Sequence, residues 1–215
     1  IEQNTVENTN YSITYTGALL EIMARQITIT ADPQSKYCGQ IDPELTYQIT
    51  GGNLVGDDEL VGELTREEGE AVGSYTILQG TVDNSNYAIS YISAELIING
   101  VSIDASASSN PVALGTDATL SATVVDESLN PVEGVLVTFT LTYYDELGVE
   151  NTLTPVTGYT DANGIVTIEN VAVPEVTVYK VTAVAGNGCS EDVAYLPVYD
   201  PSAGFVTGGG WIMSP

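Results

Sequence analysis

Apolar and polar residues alternate with a period of two along most of the chain. The alternation is plain in Tyr11–Tyr15, Gln26–Thr30, Leu45–Thr50, Ser74–Leu78, Tyr87–Tyr91 and Glu95–Ile98, where Thr, Tyr, Ile and Val dominate. Such a period turns one face of an extended segment toward a core and the other toward water, so each segment predicts a strand. Further along, the runs lengthen to Ala118–Val125, Val135–Tyr143, Gly164–Ile168 and Val176–Ala183, with turn signals at Asn130–Pro131, Glu133–Gly134 and Asp161–Gly164. Strands joined by short turns over roughly 100 residues predict an antiparallel two-sheet sandwich. Helical periodicity is scarce, and one short helical turn is predicted near Asp57–Leu60 or Arg66–Gly69, where acidic residues meet Leu60, Val61 and Leu64.

The stretch Thr5–Tyr15 returns as Thr81–Tyr91 at a constant offset of 76 residues. Self-similarity at a fixed period is the mark of a modular array. Because the first copy falls at the amino-terminal end of the sequence, it is expected to be the last part of a unit whose earlier strands lie outside this sequence. The expected organisation is the end of one repeat at residues 1–22, a complete repeat at 23–99, a sandwich at 100–199 and the entry to a further module at 200–215, with a short linker around Asn99–Gly100. The fold class is therefore mostly β, with domains set end to end. In the tail, Phe205 and Trp211 either belong to the next module or pack back on the sandwich.

Charge narrows the partners. Arg25, Lys36, Arg66 and Lys180 face 29 carboxylates, for a formal net charge of -25, yet 43% of residues are hydrophobic and the charge is scattered. This describes a folded acidic protein and excludes a disordered acidic tail. Nucleic acid and anionic lipid are excluded as partners, since both require clustered Lys and Arg. No apolar run is long enough to span a bilayer as a helix, so direct membrane insertion by this segment is not expected. The two cysteines, Cys38 and Cys189, lie 151 residues apart across the expected domain boundary. They bridge only if the domains fold back on each other, and otherwise each pairs with a neighbouring module or stays free.

The segment Ile27–Tyr47, followed by Gly56–Asp57, Gly62–Arg66, Gly73–Tyr75 and Asn86–Tyr87, resembles the MBG repeat of bacterial surface proteins. Tyr followed by Gly is the usual reading in that family, and here Cys38 stands between Tyr37 and Gly39. The resemblance covers about Arg25–Ile98, with the end of another copy at residues 1–22, and implies a β-grasp-like, non-enzymatic module repeated in large extracellular adhesins. The segments Leu120–Asp126, Asn130–Phe139 and Thr160–Gly164 are similar to the immunoglobulin-like domains of invasin and intimin. Together these resemblances imply a structural stalk or filament segment at the bacterial cell surface, whose partners are neighbouring modules of the same chain or other copies in a filament. A glycan- or surface-ligand-binding module, a filament subunit assembled by strand addition, and an accessory domain of a secreted hydrolase are the alternatives.

Candidate chemistry is thin. Zero histidines remove the usual general base and the commonest metal ligand. The carboxylate groups Asp57–Glu59, Glu67–Glu68 and Asp145–Glu146 have no spacing that sets two of them across a cleft, so loop solvation is expected. Asp161–Gly164 has the composition of a calcium loop but lacks its remaining ligands, and Asn163–Gly164 is by itself a hairpin turn. Lys180, with an Asn such as Asn170, or Lys36 raises an intramolecular isopeptide crosslink against the simpler reading of a solvent-facing lysine. The 13 tyrosines read as sheet packing, with a glycan-stacking row as the alternative. No catalytic, cofactor-binding or metal-binding residue is assigned, and no cofactor is expected.

Overall fold

The computed structural model describes residue 7 and residues 9–203. Thr5, Val6 and Asn8 of the repeated stretch, and 204–215 with Phe205 and Trp211, lie outside the described residues. The protein is almost entirely β. The first unit contains β1 (Arg25–Ala31), β2 (Gln34–Tyr37), β3 (Tyr47–Gly51), β4 (Thr65–Arg66), β5 (Gly73–Leu78), β6 (Tyr87–Ile92) and β7 (Glu95–Asn99). The second contains β8 (Ser102–Asp104), β9 (Val112–Ala113), β10 (Ala118–Val125), β11 (Leu136–Tyr144), β12 (Glu150–Thr152), β13 (Val156–Tyr159), β14 (Ile165–Val171), β15 (Val178–Ala185) and β16 (Ser190–Tyr199).

The first unit has two sheets, ordered β3-β1-β6 and β2-β7-β5-β4. Its β1 runs antiparallel to β3 and parallel to β6, with Ile27 opposite Ile89 and Ile29 opposite Tyr91. Parallel pairing also joins β2 to β7, Lys36 standing opposite Ile98. The alternation legible in Gln26–Thr30 turns Ile27 and Ile29 into a core with Leu64, Ile77, Val82, Tyr87 and Leu96.

The second unit is a β-sandwich. One sheet is β14-β10-β8, and the other is β12-β11-β15-β16-β9 with β13 also on β11. All but the β16–β9 pair are antiparallel. Between the sheets lie Leu120, Val124, Phe139, Leu141, Tyr179, Val181 and Leu196, all essentially without solvent contact. Each such side chain contributes roughly 1.5–3 kcal/mol of apolar transfer energy. Tyr143 and Tyr179 stack in a tilted pair with ring centroids 4.9 Å apart.

Three local expectations are corrected. Tyr11–Tyr15 is not a strand. Its counterpart Tyr87–Ile92 is a strand because β1 supplies a ladder, whereas both sides of β1 are already taken by β3 and β6. Neither Asp57–Leu60 nor Arg66–Gly69 is helical; the helical turn among the described residues is 3-10 and lies at Ser106–Ser109. Periodicity also missed β2 and β16, the latter being the longest strand described, with Cys189 immediately before it and Pro197 inside it.

Candidate functional site

The chemistry of this chain concentrates where the two units meet. Tyr37-Cys38-Gly39-Gln40 forms a tight turn closed by the Gln40 amide donating to the Tyr37 carbonyl at 3.1 Å, with Gly39 at φ +87°. Positive φ at the third position is the requirement of a type II turn and explains glycine there. This turn docks on Gly186–Cys189, the loop joining β15 and β16. Backbones touch: a Cβ on Gly39 would lie 2.8 Å from the Gly186 Cα, and one on Gly186 would lie 3.0 Å from the Gly39 Cα. Leu136 is held from both sides, its amide donating to the Gly39 carbonyl at 3.0 Å and its carbonyl accepting from the Gly186 amide at 2.7 Å.

That close approach brings Cys38 and Cys189 to a Cα separation of 6.3 Å, and they form a disulfide. Of the alternatives open in the sequence, pairing within the chain is the one the structure shows. The Cys38 sulfur is fully buried and lies 3.1 Å from the Glu70 carbonyl oxygen. Around the bond, the Gln40 side-chain amide donates to the Glu133 carbonyl at 2.6 Å and the Tyr37 hydroxyl donates to Asp126 at 3.2 Å. The Asp126 carboxylate opposite raises the Tyr37 hydroxyl pKa through that bond.

Behind the turn stands a four-charge network. The Lys36 amine donates to Asp42 at 2.6 Å, to Glu70 at 2.6 Å and to the Gln40 carbonyl at 3.1 Å, so all three protons are used. Arg66 grips Asp42 with two bonds of 2.6 and 3.1 Å, reaches Glu70, and donates to the carbonyls of Glu67 and Gly69. Its guanidinium also lies 5.4 Å from the centre of the Tyr75 ring. The network joins β2 and β4, the two edges of the four-stranded sheet, and Lys36 fastens it to the turn carrying Cys38. The Lys36 side chain is only 3% exposed, so the sequence reading of a solvent-facing lysine is corrected at this position. A buried amine persists because three acceptors replace its water. The bond from Arg66 is the largest influence on Asp42 and holds its carboxyl below the ordinary range, with help from Lys36. For Glu70 the largest single influence is desolvation, which works upward, but the bonds from Lys36 and Arg66 together outweigh it and the net shift is down.

The other candidates resolve into local structure. Asp161 Oδ1 accepts from the amides of Asn163 and Ile165, both at 2.9 Å, and these bonds lower its pKa. Two further loops repeat this design. Asp126 Oδ1 takes the amides of Ser128 and Asn130, and Asp145 Oδ1 takes those of Leu147 and Val149. Asp161–Gly164 is therefore one of three Asp-anchored tight loops, and it passes the chain from β13 in one sheet to β14 in the other, whereas the Asp145 loop joins the paired strands β11 and β12. The residue at positive φ is Gly164 or Gly148 in two of them and Leu129 in the third. Among the described residues, no group of three or more His, Cys, Asp or Glu side chains is placed to hold a metal ion.

The carboxylate runs serve as local acceptors, Asp58 for the Tyr87 hydroxyl at 2.7 Å and Glu67 for the Thr76 amide at 3.0 Å. Lys180 is exposed on β15 and Asn170 is exposed on β14, so neither enters a buried crosslink centre. Of the exposed tyrosines on the larger sheet, Tyr159 stands opposite Leu136 at one end of β11, Tyr144 is at the other end, roughly 26 Å away at strand rise, and Tyr195 is in register with Thr142 through Lys180. No helix among the described residues is long and apolar enough to cross a membrane.

Residues 27–97 match the family model of the MBG domain, YGX type. The matched segment is the first unit, from β1 into β7. Among curated proteins, no sequence relative matches the chain. Solved structures share low overall similarity. The Escherichia coli adhesin FdeC has 15% identity and a TM-score of 0.30, covering 86% of this chain and 66% of that one. Three amino-terminal domains of the bacteriophage RB49 highly immunogenic outer capsid protein have 15% identity and a TM-score of 0.31, covering 81% and 70%. Elastase-activated Escherichia coli alpha-2-macroglobulin has 14% identity and a TM-score of 0.32; 74% of this chain is covered, but the chain spans only 18% of that protein.

Proposed function

We propose that this chain is a non-catalytic, load-bearing segment of a large bacterial surface adhesin, an MBG-type module joined to an immunoglobulin-like sandwich of the invasin and intimin kind. The supporting observation is the Cys38–Cys189 bond across the junction. Tension applied along the chain enters near β1 and leaves near β16. It would pass from Cys38 directly to Cys189 and bypass the 151-residue separation between them. The glycine-to-glycine docking and the Leu136 bridge hold the same junction against bending. A disulfide also suits an oxidising extracellular setting. Its partners are neighbouring modules of the same long chain, and the segment serves to hold a binding surface elsewhere away from the cell.

Single-molecule pulling from the two ends tests this reading. At ~3.6 Å per residue, the 151-residue separation hides about 540 Å of contour length, which should be absent from oxidised traces and appear after reduction. Equal contour lengths in the two states would rule out the shunt.

A further inference from the structure

Leu20 and Ile22 are 74% and 88% exposed, while their counterparts at the 76-residue offset, Leu96 and Ile98, are 0% and 1% exposed. The contrast holds for Tyr11, 75% exposed against 6% for Tyr87. The same residue types in the same order are thus core in one copy and surface in the other. What covers them in the buried copy is known. Tyr87 and Ile89 lie on β6, in parallel register with Arg25 and Ile27 of β1, and Leu96 lies on β7 between Gln34 of β2 and Tyr75 of β5.

The chain's own unit cannot serve both copies. Its β1 is flanked by β3 and β6, and β7 already fills the position between β2 and β5. A second molecule of this chain presents the same filled sheets. The complementary surface is instead an MBG-type sheet pair with the equivalents of β1 to β5 but without those of β6 and β7. In the complete unit those five strands precede β6 in sequence and are joined to it by a short connection.

We propose that residues 11–22 are a docking segment that supplies the last two strands to such a sheet pair, placed amino-terminal to them in the same polypeptide, with Tyr11, Ile13, Leu20 and Ile22 as its anchors. The proposal deepens the array reading above. It makes no use of the Cys38–Cys189 bond, so the pulling experiment and the one below fail independently.

The test uses the chain's own sequence as the probe. Residues 25–84 are fused directly before Thr9 of the chain, which preserves the repeat offset. Amide hydrogen exchange at Ile13, Leu20 and Ile22 should slow by about 100-fold or more relative to the unfused chain, and Leu20→Asp in the fusion should restore fast exchange. A control fuses residues 25–98 before Met23, so that the added unit carries a copy of β6 and β7 themselves and reports whether the fusion point is tolerated. Exchange at these three positions that stays fast in the fusion, whether or not the added unit folds, overturns the proposal. So does an unfused chain that sediments as a dimer with residues 11–22 protected, because the occupant would then be a second copy.

Discussion

Reducing the Cys38–Cys189 bond should affect the first unit far more than the sandwich. When the first unit unfolds with the bond intact and the sandwich still folded, the closed loop runs from Cys38 to the Asn99–Gly100 junction and returns through the sandwich to Cys189. That is a flexible loop of roughly 60 residues, for which chain-entropy treatment gives about 4 kcal/mol at 25 °C. For a domain of this size, each 1 kcal/mol moves the midpoint by about 4–8 °C, so reduction should lower the melting temperature of the first unit by roughly 15–30 °C. The sandwich has the larger core and should melt after the first unit, when its own unfolding only enlarges the closed loop from about 60 to 151 residues, worth a further ~0.8 kcal/mol by the same treatment, so its transition should move less. Differential scanning calorimetry with and without a phosphine reductant measures both. The double variant Cys38→Ser, Cys189→Ser should reproduce the reduced profile and show that the reductant acts through this bond. A first-unit midpoint that changes by less than about 5 °C would refute the loop-closure reasoning.

Lys36→Ala should destabilise the first unit by about 2 kcal/mol in urea unfolding, less than the 3–5 kcal/mol typical of a fully buried pair because Asp42 and Glu70 keep 39% and 40% side-chain exposure. The same network sets an acid limit. Both carboxyls are held below their ordinary range, so their contribution is complete above that range and is lost as pH falls through the folded-state values. Midpoints of the first unit at about pH 7 and about pH 2.5 should therefore diverge, and Asp42→Asn should reduce the difference. Leu129→Gly should stabilise the sandwich by up to about 1 kcal/mol, since Leu129 is 79% exposed at φ 64° and glycine relieves the left-handed penalty. An unchanged or lowered sandwich midpoint would show that no strain resides there.

Strands with one face toward water were legible from alternation alone, and Ala118–Val125 coincides with β10 at both ends. Local pattern failed where a neighbour decides the outcome. Tyr11–Tyr15 and Tyr87–Tyr91 have nearly the same sequence, yet only the second has a free ladder on β1. The short β2 was hidden because it carries a lysine at its buried position, and a charge at a core position reads as an interruption until its partners are known. Those partners, Asp42, Arg66 and Glu70, are distributed over an intervening strand and two loops, so no spacing rule joins them. The Asp-anchored loops were partly visible: Asp161–Gly164 stood out, whereas Asp145-Glu-Leu-Gly148 has the same spacing and Asp126–Asn130 lacks the diagnostic glycine.

The junction explains a feature of composition that neither unit explains alone. Cations and cysteines are the scarcest chemical resources in this chain, with four Lys or Arg against 29 acidic residues and only two Cys. Both cysteines and two of the four cations lie at or directly behind one turn, Tyr37–Gln40. Everywhere else the acidic surface keeps the molecule soluble and repels neighbours of like charge. An interdomain contact built on that surface would face the same repulsion. Here Lys36 and Arg66 neutralise Asp42 and Glu70 behind the turn, and the contacts across the junction are the close-packed glycine backbones, the Leu136 bridge, the Gln40 amide on the Glu133 carbonyl and the Tyr37 hydroxyl on Asp126, whose negative charge meets a donor and not another carboxylate. The network thus allows the two units to meet closely enough for the disulfide to form. On this account, Lys36→Ala should do more than loosen a sheet edge: it should also slow oxidative closure of Cys38–Cys189 after reduction, measurable as the rate at which free thiol disappears on transfer to oxidised glutathione. A closure rate equal to that of the unaltered chain would separate the charge network from the junction and leave it a feature of the first unit alone.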